Sequence, residues 1–123
     1  MNLPKSEEQL MQHLWTLEKA FMKDLMDAYP EPKPASTTVA TLLKRLLDKG
    51  AIGFNKYGNV REYFPILKKE DYSSKQFSGV MKSFFNDSVS QFASFFTSRE
   101  NLSDDELEEL RKIVDDQIKN RKQ

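Results

Sequence analysis

One segment of this 123-residue chain differs from the rest in the spacing of its apolar residues. Over residues 10–47 and again over residues 77–118, apolar side chains recur every three or four positions, as along one face of an α-helix. Over residues 51–65 they alternate with polar ones and flank a turn sequence at residues 57–59, which is typical of two strands joined in a hairpin. The predicted fold is therefore mainly α-helical with a small β-hairpin.

Three helices are predicted before the hairpin. The first covers residues 7–17 and begins with a capping box formed by Ser6 and Gln9. A second, short helix is predicted from the apolar stripe of Phe21, Met22, Leu25, Met26 and Tyr29, and it ends at the prolines of residues 30–34, because proline cannot continue a helix. A proline-rich loop therefore separates the second helix from the third.

The third helix has a clear start and end in the sequence. Ser36 or Thr37 is predicted to cap its N-terminus, Lys49 lies in its last turn and Gly50 serves as the C-cap glycine. Its apolar face consists of Val39, Leu42, Leu43, Leu46 and Leu47. The opposite face is polar and is predicted to be exposed.

A second set of helices follows the hairpin. Two helices are predicted at about residues 71–85 and 87–97, with Asn86-Asp87 at their junction, and a capping box of Ser103 and Glu106 begins a third. Helical spacing is kept by the apolar residues Phe77, Met81, Phe84, Phe85, Phe92, Phe95, Phe96, Leu107, Leu110 and Val114. These ten residues are predicted to form a dimer interface.

The dimer prediction depends on how much apolar surface one chain can cover. The apolar side chains of the first three helices and the hairpin are expected to pack on one another. Few of them are then available to cover the phenylalanine-rich stripe, and a partner subunit is the simplest cover. Residues 1–69 are therefore predicted to form one domain, and residues 70–123 a helical dimerisation domain.

Composition excludes several kinds of site. The chain has no cysteine and a single histidine, which rules out disulfides, thiolate metal sites, cysteine nucleophiles and multi-histidine metal sites. It has no nucleophile–base pair and no glycine-rich phosphate loop, so no enzyme activity, metal or cofactor is predicted. No apolar stretch approaches the ~18 residues that cross a bilayer, and the N-terminus lacks a signal sequence, so a cytoplasmic location without membrane insertion is expected.

Charge is unevenly distributed along the chain. Lys plus Arg and Asp plus Glu number 19 each, yet residues 36–69 hold seven basic and only two acidic residues. The segments before and after them are net acidic. A basic segment between acidic ones favours contact with a polyanion, although an ordinary solvated face would have the same composition.

The order helix, helix, helix, hairpin is that of a winged helix-turn-helix domain, in which the third helix enters the DNA major groove and the hairpin contacts the backbone or minor groove. The residues predicted to contact DNA are Thr37, Thr38, Ala40, Thr41, Lys44 and Arg45 of the third helix and Lys56 and Arg61 of the hairpin. Hydroxyls can approach base edges, and cations neutralise phosphates. Two alternatives stay open: the threonines could only cap and solvate the helix, and Arg45 could form a structural ion pair.

Three stretches resemble the penicillinase and methicillin-resistance repressor family, whose relatives include copper-responsive repressors. They read E-x-x-L-M-x-x-L-W over residues 7–15, T-V-x-T-x-L-x-R-L-x-x-K-G over residues 38–50 and K-x-G-x-V-x-x-Y over residues 56–63. The second stretch is the most specific, and the similarity extends over nearly the whole chain.

The resemblance implies a dimeric transcriptional repressor with an N-terminal winged helix and a C-terminal three-helix dimerisation region. Members of the family bind palindromic operators of resistance genes. A membrane-embedded sensor protease, activated by antibiotic, leads to cleavage of the repressor within an Asn-Phe pair in its C-terminal region. The corresponding residues here are Ser94 and Phe95, which are therefore the candidate cleavage site.

This chain departs from the family pattern at several positions. Copper-responsive relatives carry a C-terminal cysteine motif, and the absence of cysteine excludes that copper mechanism here. Thr37 and Asn59 stand where relatives commonly have a basic residue, and Ala40 where they have a longer polar one. The operator sequence therefore need not be the usual one of the family.

A second hypothesis is a winged helix used only for protein–protein contact, without specific DNA binding. The zero net charge and the missing basic residues at positions 37 and 59 favour it. The two hypotheses differ in whether the positive surfaces of the dimer converge on one side.

Overall fold

The computed structural model describes residues 1–99 and 101–122, and it confirms a mainly helical chain with a small antiparallel sheet. The elements in chain order are α1 (Lys5–Leu17), β1 (Ala20–Phe21), α2 (Met22–Ala28), α3 (Ser36–Asp48), β2 (Ile52–Tyr57), β3 (Val60–Pro65), α4 (Lys69–Phe85), α5 (Val89–Arg99) and α6 (Asp104–Arg121). No helix among the described residues has the length and hydropathy of a membrane span. We call the β2–β3 hairpin the wing.

The sheet has a third strand that the sequence pattern does not reveal. Strand β1 pairs antiparallel with β3, so that Ala20 is opposite Tyr63 and Phe21 is opposite Glu62, and the strand order is β1-β3-β2. Two residues are too few to show an alternating period, which is why the pattern of apolar residues could not separate β1 from the helices on either side. The strand ties the connection between α1 and α2 to the wing.

The predicted start of α1 is wrong by two residues. The helix begins at Lys5 with Pro4 at its N-cap, so Ser6 and Gln9 lie inside the helix and form no capping box. Proline suits this place because it lacks the N–H group that would be unpaired there, and its φ of −56° is already close to the helical value.

The predicted cap of α3 is also wrong. The residue that stays extended before the helix is Ala35, with φ −66° and ψ 147°, and no side chain caps the helix. Ser36 and Thr37 are instead its first two helical residues. An N-cap must be extended, and here the chain becomes helical one residue too early for either hydroxyl to act as a cap.

Two other predicted helix ends are confirmed. Gly50 follows the end of α3 with φ +75°, a left-handed conformation that glycine adopts without strain. Ser103 and Glu106 form a reciprocal capping box at α6, with hydrogen bonds of 3.0 and 3.1 Å. The hydrogen bonds from the Ser103 backbone and hydroxyl lower the pKa of the Glu106 carboxyl.

Residues 1–76 form one compact unit with an apolar core. The core consists of Leu10, Met11, Leu14, Ala20, Leu25, Tyr29, Val39, Leu42, Leu43, Leu46, Ala51, Ile52 and Tyr63. Trp15 packs against this core and its indole N–H donates to the Leu67 carbonyl at 2.8 Å, which provides the acceptor that a largely buried tryptophan needs. The hydroxyl of Tyr72, a buried residue in the first turn of α4, donates to the Glu8 carboxylate at 2.7 Å.

Residues 77–123 form a second unit. Asn86 and Asp87 have left-handed backbones, with φ 52° and 57°, and separate α4 from α5 where the junction was predicted. The Phe92 ring lies edge-to-face against Phe77 at 5.2 Å and against Phe85 at 5.5 Å. No described residue of α5 or α6 is fully buried.

Candidate nucleic-acid interface

The two sides of α3 differ sharply in exposure. Its apolar side, which includes Val39, Leu43 and Leu46, is buried in the core. All six predicted DNA-contacting residues of the helix are exposed on the other side: Thr37, Thr38, Ala40, Thr41, Lys44 and Arg45. We call these six residues the recognition face.

The hydroxyl of Thr41 is already engaged within the helix. It donates to the Thr37 carbonyl at 3.0 Å, four residues earlier in the chain. Its hydrogen is therefore committed and its lone pairs face outwards, so that Thr41 is arranged to accept a hydrogen bond from a base rather than to donate one. Thr38 makes no such bond among the described residues, and its hydroxyl is free to donate or accept.

The sequence leaves two roles open for Arg45, contact with the DNA backbone or a structural ion pair. The structure shows no such ion pair among the described residues. Among residues 1–99 and 101–122, no carboxylate lies within ion-pair distance of its guanidinium. Arg45 is exposed next to Lys44 on the recognition face. Both charges are therefore available to an external anion.

The wing adds two more cations. Lys56 on β2 is directly opposite Arg61 on β3, and both side chains are exposed. Like charges directly opposite each other on a sheet repel and destabilise it. Glu62 is the neighbouring acid on β3, but adjacent strand residues project from opposite faces, so it does not offset this repulsion. Such a pair of cations is suited to a phosphate.

The turn of the wing follows the chemistry of its sequence. Residues Gly58 and Asn59 form a two-residue loop, and only Gly58 has a positive φ, of 62°. A positive φ at the first loop position alone is the pattern of a type II′ turn, whose twist matches that of the two strands. The turn sets the register that places Lys56 opposite Arg61.

An ion pair between an exposed lysine and a buried carboxylate joins the end of α3 to α1. The Lys49 ammonium lies 2.5 Å from the carboxylate of Glu7, whose side chain is only 2% exposed. Glu7 is one of two acids in the first turn of α1, a position that by itself predicts an exposed residue. The signal that sequence reasoning missed is the spacing of Glu7 with Leu10, Met11 and Leu14, which places this acid on the apolar face of α1.

A lysine also organises the loop before α3. The Lys33 ammonium donates to the carbonyls of Tyr29 at 2.5 Å, Met26 at 3.0 Å and Asp27 at 3.4 Å. These carbonyls lie at the end of α2, where helical carbonyls commonly lack intrahelical partners, although that of Met26 also accepts from the Tyr29 backbone N–H at 3.4 Å. The cation therefore caps α2 and stabilises the proline-rich loop that leads into the recognition face.

The residues predicted for dimerisation divide into two sets. Met81, Phe85, Phe92, Phe96 and Leu110 are half-buried within their own unit. Phe77, Phe84, Phe95, Leu107 and Val114 are exposed, and Phe84 is the most open, at 76%. The prediction missed four further exposed apolar residues: Val80, Val89, Ile113 and Ile118.

The candidate cleavage residues lie within a helix. Ser94 and Phe95 are both exposed in the middle of α5. The Ser94 carbonyl accepts a hydrogen bond from the Ser98 hydroxyl at 2.6 Å. A protease that cuts between them would have to unwind this part of α5, because proteases bind extended chains.

The described residues show no arrangement for metal chemistry. Among them, no group of three or more histidines or acids could hold a metal ion. The five acids at residues 104–109 lie in the first turns of α6, where they complement the positive end of the helix dipole.

Comparison with known proteins agrees with the architecture. The sequence profile described as penicillinase repressor matches residues 3–116. A penicillinase repressor of Bacillus licheniformis is 33% identical over 85 residues, which span 69% of this chain and 66% of that protein. The methicillin resistance regulatory protein MecI of Staphylococcus aureus is 26% identical over 91% of this chain and 92% of its own length. The solution structure of the DNA-binding domain of the repressor BlaI has 25% identity and a TM-score of 0.52, and it covers 58% of this chain and 88% of that domain.

Proposed function

The chain belongs to the penicillinase repressor family, and we propose that it represses transcription as a homodimer bound to palindromic operator DNA. Proteins of this family are transcriptional repressors and not enzymes. The observation that carries the proposal is the recognition face, six exposed residues on a helix whose other side is buried in the core. In this proposal α3 lies in the major groove and the wing cations contact the backbone.

Each part of the site has a separate task in the proposed complex. Thr38 and Thr41 contact base edges, and the outward lone pairs of Thr41 suit an amino group of adenine or cytosine. Lys44, Lys56 and Arg61 contact phosphates, which supplies affinity for any sequence. The methyl group of Ala40 suits a thymine methyl.

The dimer part of the proposal is supported by the exposed apolar residues of the second unit. Val89 is 73% exposed, and Ile113 and Val114 are 58% and 54% exposed on α6. Apolar side chains so open to water are typical of a surface that another subunit covers. Two copies related by a two-fold axis would present two recognition faces to the two halves of a palindrome.

We also propose how repression ends. A membrane sensor protease system would act on the repressor in the cytoplasm and cleave it at Ser94 and Phe95, which would separate the dimerisation helices and release DNA. Both residues are exposed, which supports access by a protease. Antibiotic-resistance genes are the proposed targets, in line with the names of the relatives.

The first experiment is a gel shift with the purified protein and the DNA upstream of its own gene, over a salt series and with random DNA as competitor. The expected result is a sequence-specific complex of dimer size that weakens as salt rises. Replacing both Lys56 and Arg61 with alanine should weaken binding to every sequence and flatten the salt dependence. The variants Thr38→Val and Thr41→Val should instead change the sequence preference.

Two results would contradict the proposal. Threonine variants with an unchanged sequence preference would remove the assignment of base contacts to α3. Binding that is weak and unspecific on every duplex tested would favour the protein–protein hypothesis, and the next experiment would then be a search for that protein partner.

A further inference from the structure

The wing carries an aromatic ring against one of its cations. The central carbon of the Arg61 guanidinium lies 4.1 Å from the centre of the Phe54 ring. A guanidinium within about 6 Å of a ring face is attracted by the negative charge above the ring. Phe54 is not among the predicted DNA-contacting residues, because a phenylalanine in a strand is ordinarily explained by packing.

The register of the hairpin explains why the two side chains meet. Phe54 is opposite Tyr63, and Lys56 is opposite Arg61, so all four project from one face of the wing. Phe54 and Arg61 are diagonal neighbours on this face. Side chains of this length reach each other across the diagonal, where the separation is about 7–8 Å.

The Phe54 ring is itself anchored to the core. Its centre lies 6.1 Å from that of Tyr63, which is buried, and the two rings are tilted by 57°. Phe54 remains 36% exposed even with the Arg61 guanidinium against its ring, so the ring lies at the edge of the core. The contact therefore connects a flexible surface side chain to the rigid interior.

We propose that Phe54 is a positioning residue that holds the Arg61 guanidinium in place to contact a DNA phosphate; the inference rests on the DNA-binding function proposed above. An arginine that is free in solvent loses rotamer freedom when it binds. The ring restricts Arg61 before DNA arrives, so less freedom is lost on binding. Lys56 repels Arg61 from across the strands and keeps it towards the ring.

The test compares Phe54→Leu, Phe54→Tyr, Arg61→Ala and the double variant Phe54→Leu/Arg61→Ala in the full-length protein. Binding to a short random-sequence DNA duplex is measured by fluorescence anisotropy over a salt series, since a phosphate contact does not depend on sequence. Phe54→Leu should weaken binding about two- to five-fold, the strength of an exposed cation–π contact, and Phe54→Tyr should restore it.

The salt dependence of DNA binding distinguishes a residue that positions a cation from a residue that supplies the charge. Phe54→Leu removes no cation, so the slope of log affinity against log salt should not change. Arg61→Ala should lower that slope by about one. In the Arg61→Ala background, Phe54→Leu should have no further effect, because the ring acts only through this arginine.

A matched control and a measurement without DNA complete the design. Phe64→Leu replaces an aromatic residue on the other face of the same wing and should leave affinity unchanged. In the free protein, the Arg61 side-chain protons should show an upfield ring-current shift by NMR, which Phe54→Leu should abolish. Thermal unfolding of each variant reports whether the fold has changed.

Failure of this inference is distinguishable from failure of the proposed function. The positioning role would be overturned, while DNA binding stands, by either of two results. Phe54→Leu could bind DNA as tightly as the wild type, or it could weaken binding as much in the Arg61→Ala variant as in the wild type. A wild-type protein without salt-dependent binding would overturn the proposed function, and the inference with it. If Arg61→Ala changed neither affinity nor slope, Arg61 would not contact DNA, and this inference would be overturned while DNA binding through α3 could stand.

Discussion

The two units differ in how far they bury their apolar side chains. Residues 1–76 bury most of them, whereas residues 77–122 leave many exposed. In the first unit Leu10, Leu14 and Leu43 are at most 1% exposed, and the core draws residues from the first three helices and from all three strands. In the second unit the phenylalanines pack on one another, yet α5 and α6 bury no described residue fully. The first unit closes its own core, whereas the second leaves apolar surface exposed, which the proposed dimer would cover.

The largest expected effect is a cavity in the first unit. Leu43→Ala should destabilise the protein by about 2–5 kcal/mol, since the side chain is fully buried on the core side of α3. The matched control is Leu17→Ala at the end of α1, where the leucine is 40% exposed and the cost should be small. Urea unfolding measures both. Equal losses in the two variants would mean that the first unit lacks the closed core described above.

The two ion pairs of the described chain provide a second contrast. Lys49→Met should cost about 2 kcal/mol, because it leaves the carboxylate of Glu7 buried without its partner. The equivalent change Arg111→Met in the second unit should have no measurable effect, since Arg111 and Glu108 are both 73% exposed. Urea unfolding again gives the comparison, and a tolerated Lys49→Met would show that Glu7 finds another partner.

A third prediction concerns the open surface of the second unit. Val114→Glu places a charge on an exposed apolar position of α6 and should raise the dissociation constant of the dimer at least about thirty-fold. Gln117→Glu, at an exposed polar position of the same helix, is the matched change of charge and should leave the dissociation constant unchanged. Sedimentation velocity over a dilution series distinguishes monomer from dimer. A dimer unaffected by Val114→Glu would place the interface away from this part of α6.

The smallest effect is expected at the start of α4. Tyr72→Phe removes the hydrogen bond to Glu8 and should lower the free energy of unfolding by about 1 kcal/mol at neutral pH. Unfolding is followed through the fluorescence of Trp15, whose ring lies 5.8 Å from that of Tyr72. If Tyr72→Phe cost nothing, the first turn of α4 would not belong energetically to the first unit.

Alkaline pH provides a further measurement on the same variant. Burial, and secondarily the hydrogen bond to Glu8, raises the pKa of Tyr72 above its usual value of 10.0. The folded form then keeps its proton to higher pH than the unfolded form, so this stabilisation is complete below about pH 10 and is lost as pH rises through the raised pKa. Tyr72→Phe should lose less stability over that range than the wild type.

Much of the fold could be predicted because its elements are long or have distinctive ends. The helices α4, α5 and α6, the hairpin and the box of Ser103 with Glu106 follow from period and capping chemistry, and the structure agrees with them. Strand β1 could not be predicted because two residues have no period. The starts of α1 and α3 were misplaced because several residues near each start could act as a cap, and the backbone conformation decides which one does.

Part of the candidate site was also predictable. Residues Thr38 and Lys44 follow from the polar face of an amphipathic helix, and their exposure agrees with that pattern. The contact between Glu7 and Lys49 joins residues 42 positions apart, and no local pattern reports such a distance. The stacking of Arg61 on Phe54 likewise depends on the strand register, which the turn at Gly58 determines.

The sequence by itself determined which segments form the six helices and the hairpin, which faces are apolar and which segment is basic, because period, capping and charge are local properties of the chain. Only the tertiary structure decided that Glu7 is buried against Lys49, that β1 joins the sheet, and that the Phe54 ring carries the Arg61 guanidinium. The first two features join residues about 40 positions apart and the third depends on the strand register, so each exists only once the elements have come together.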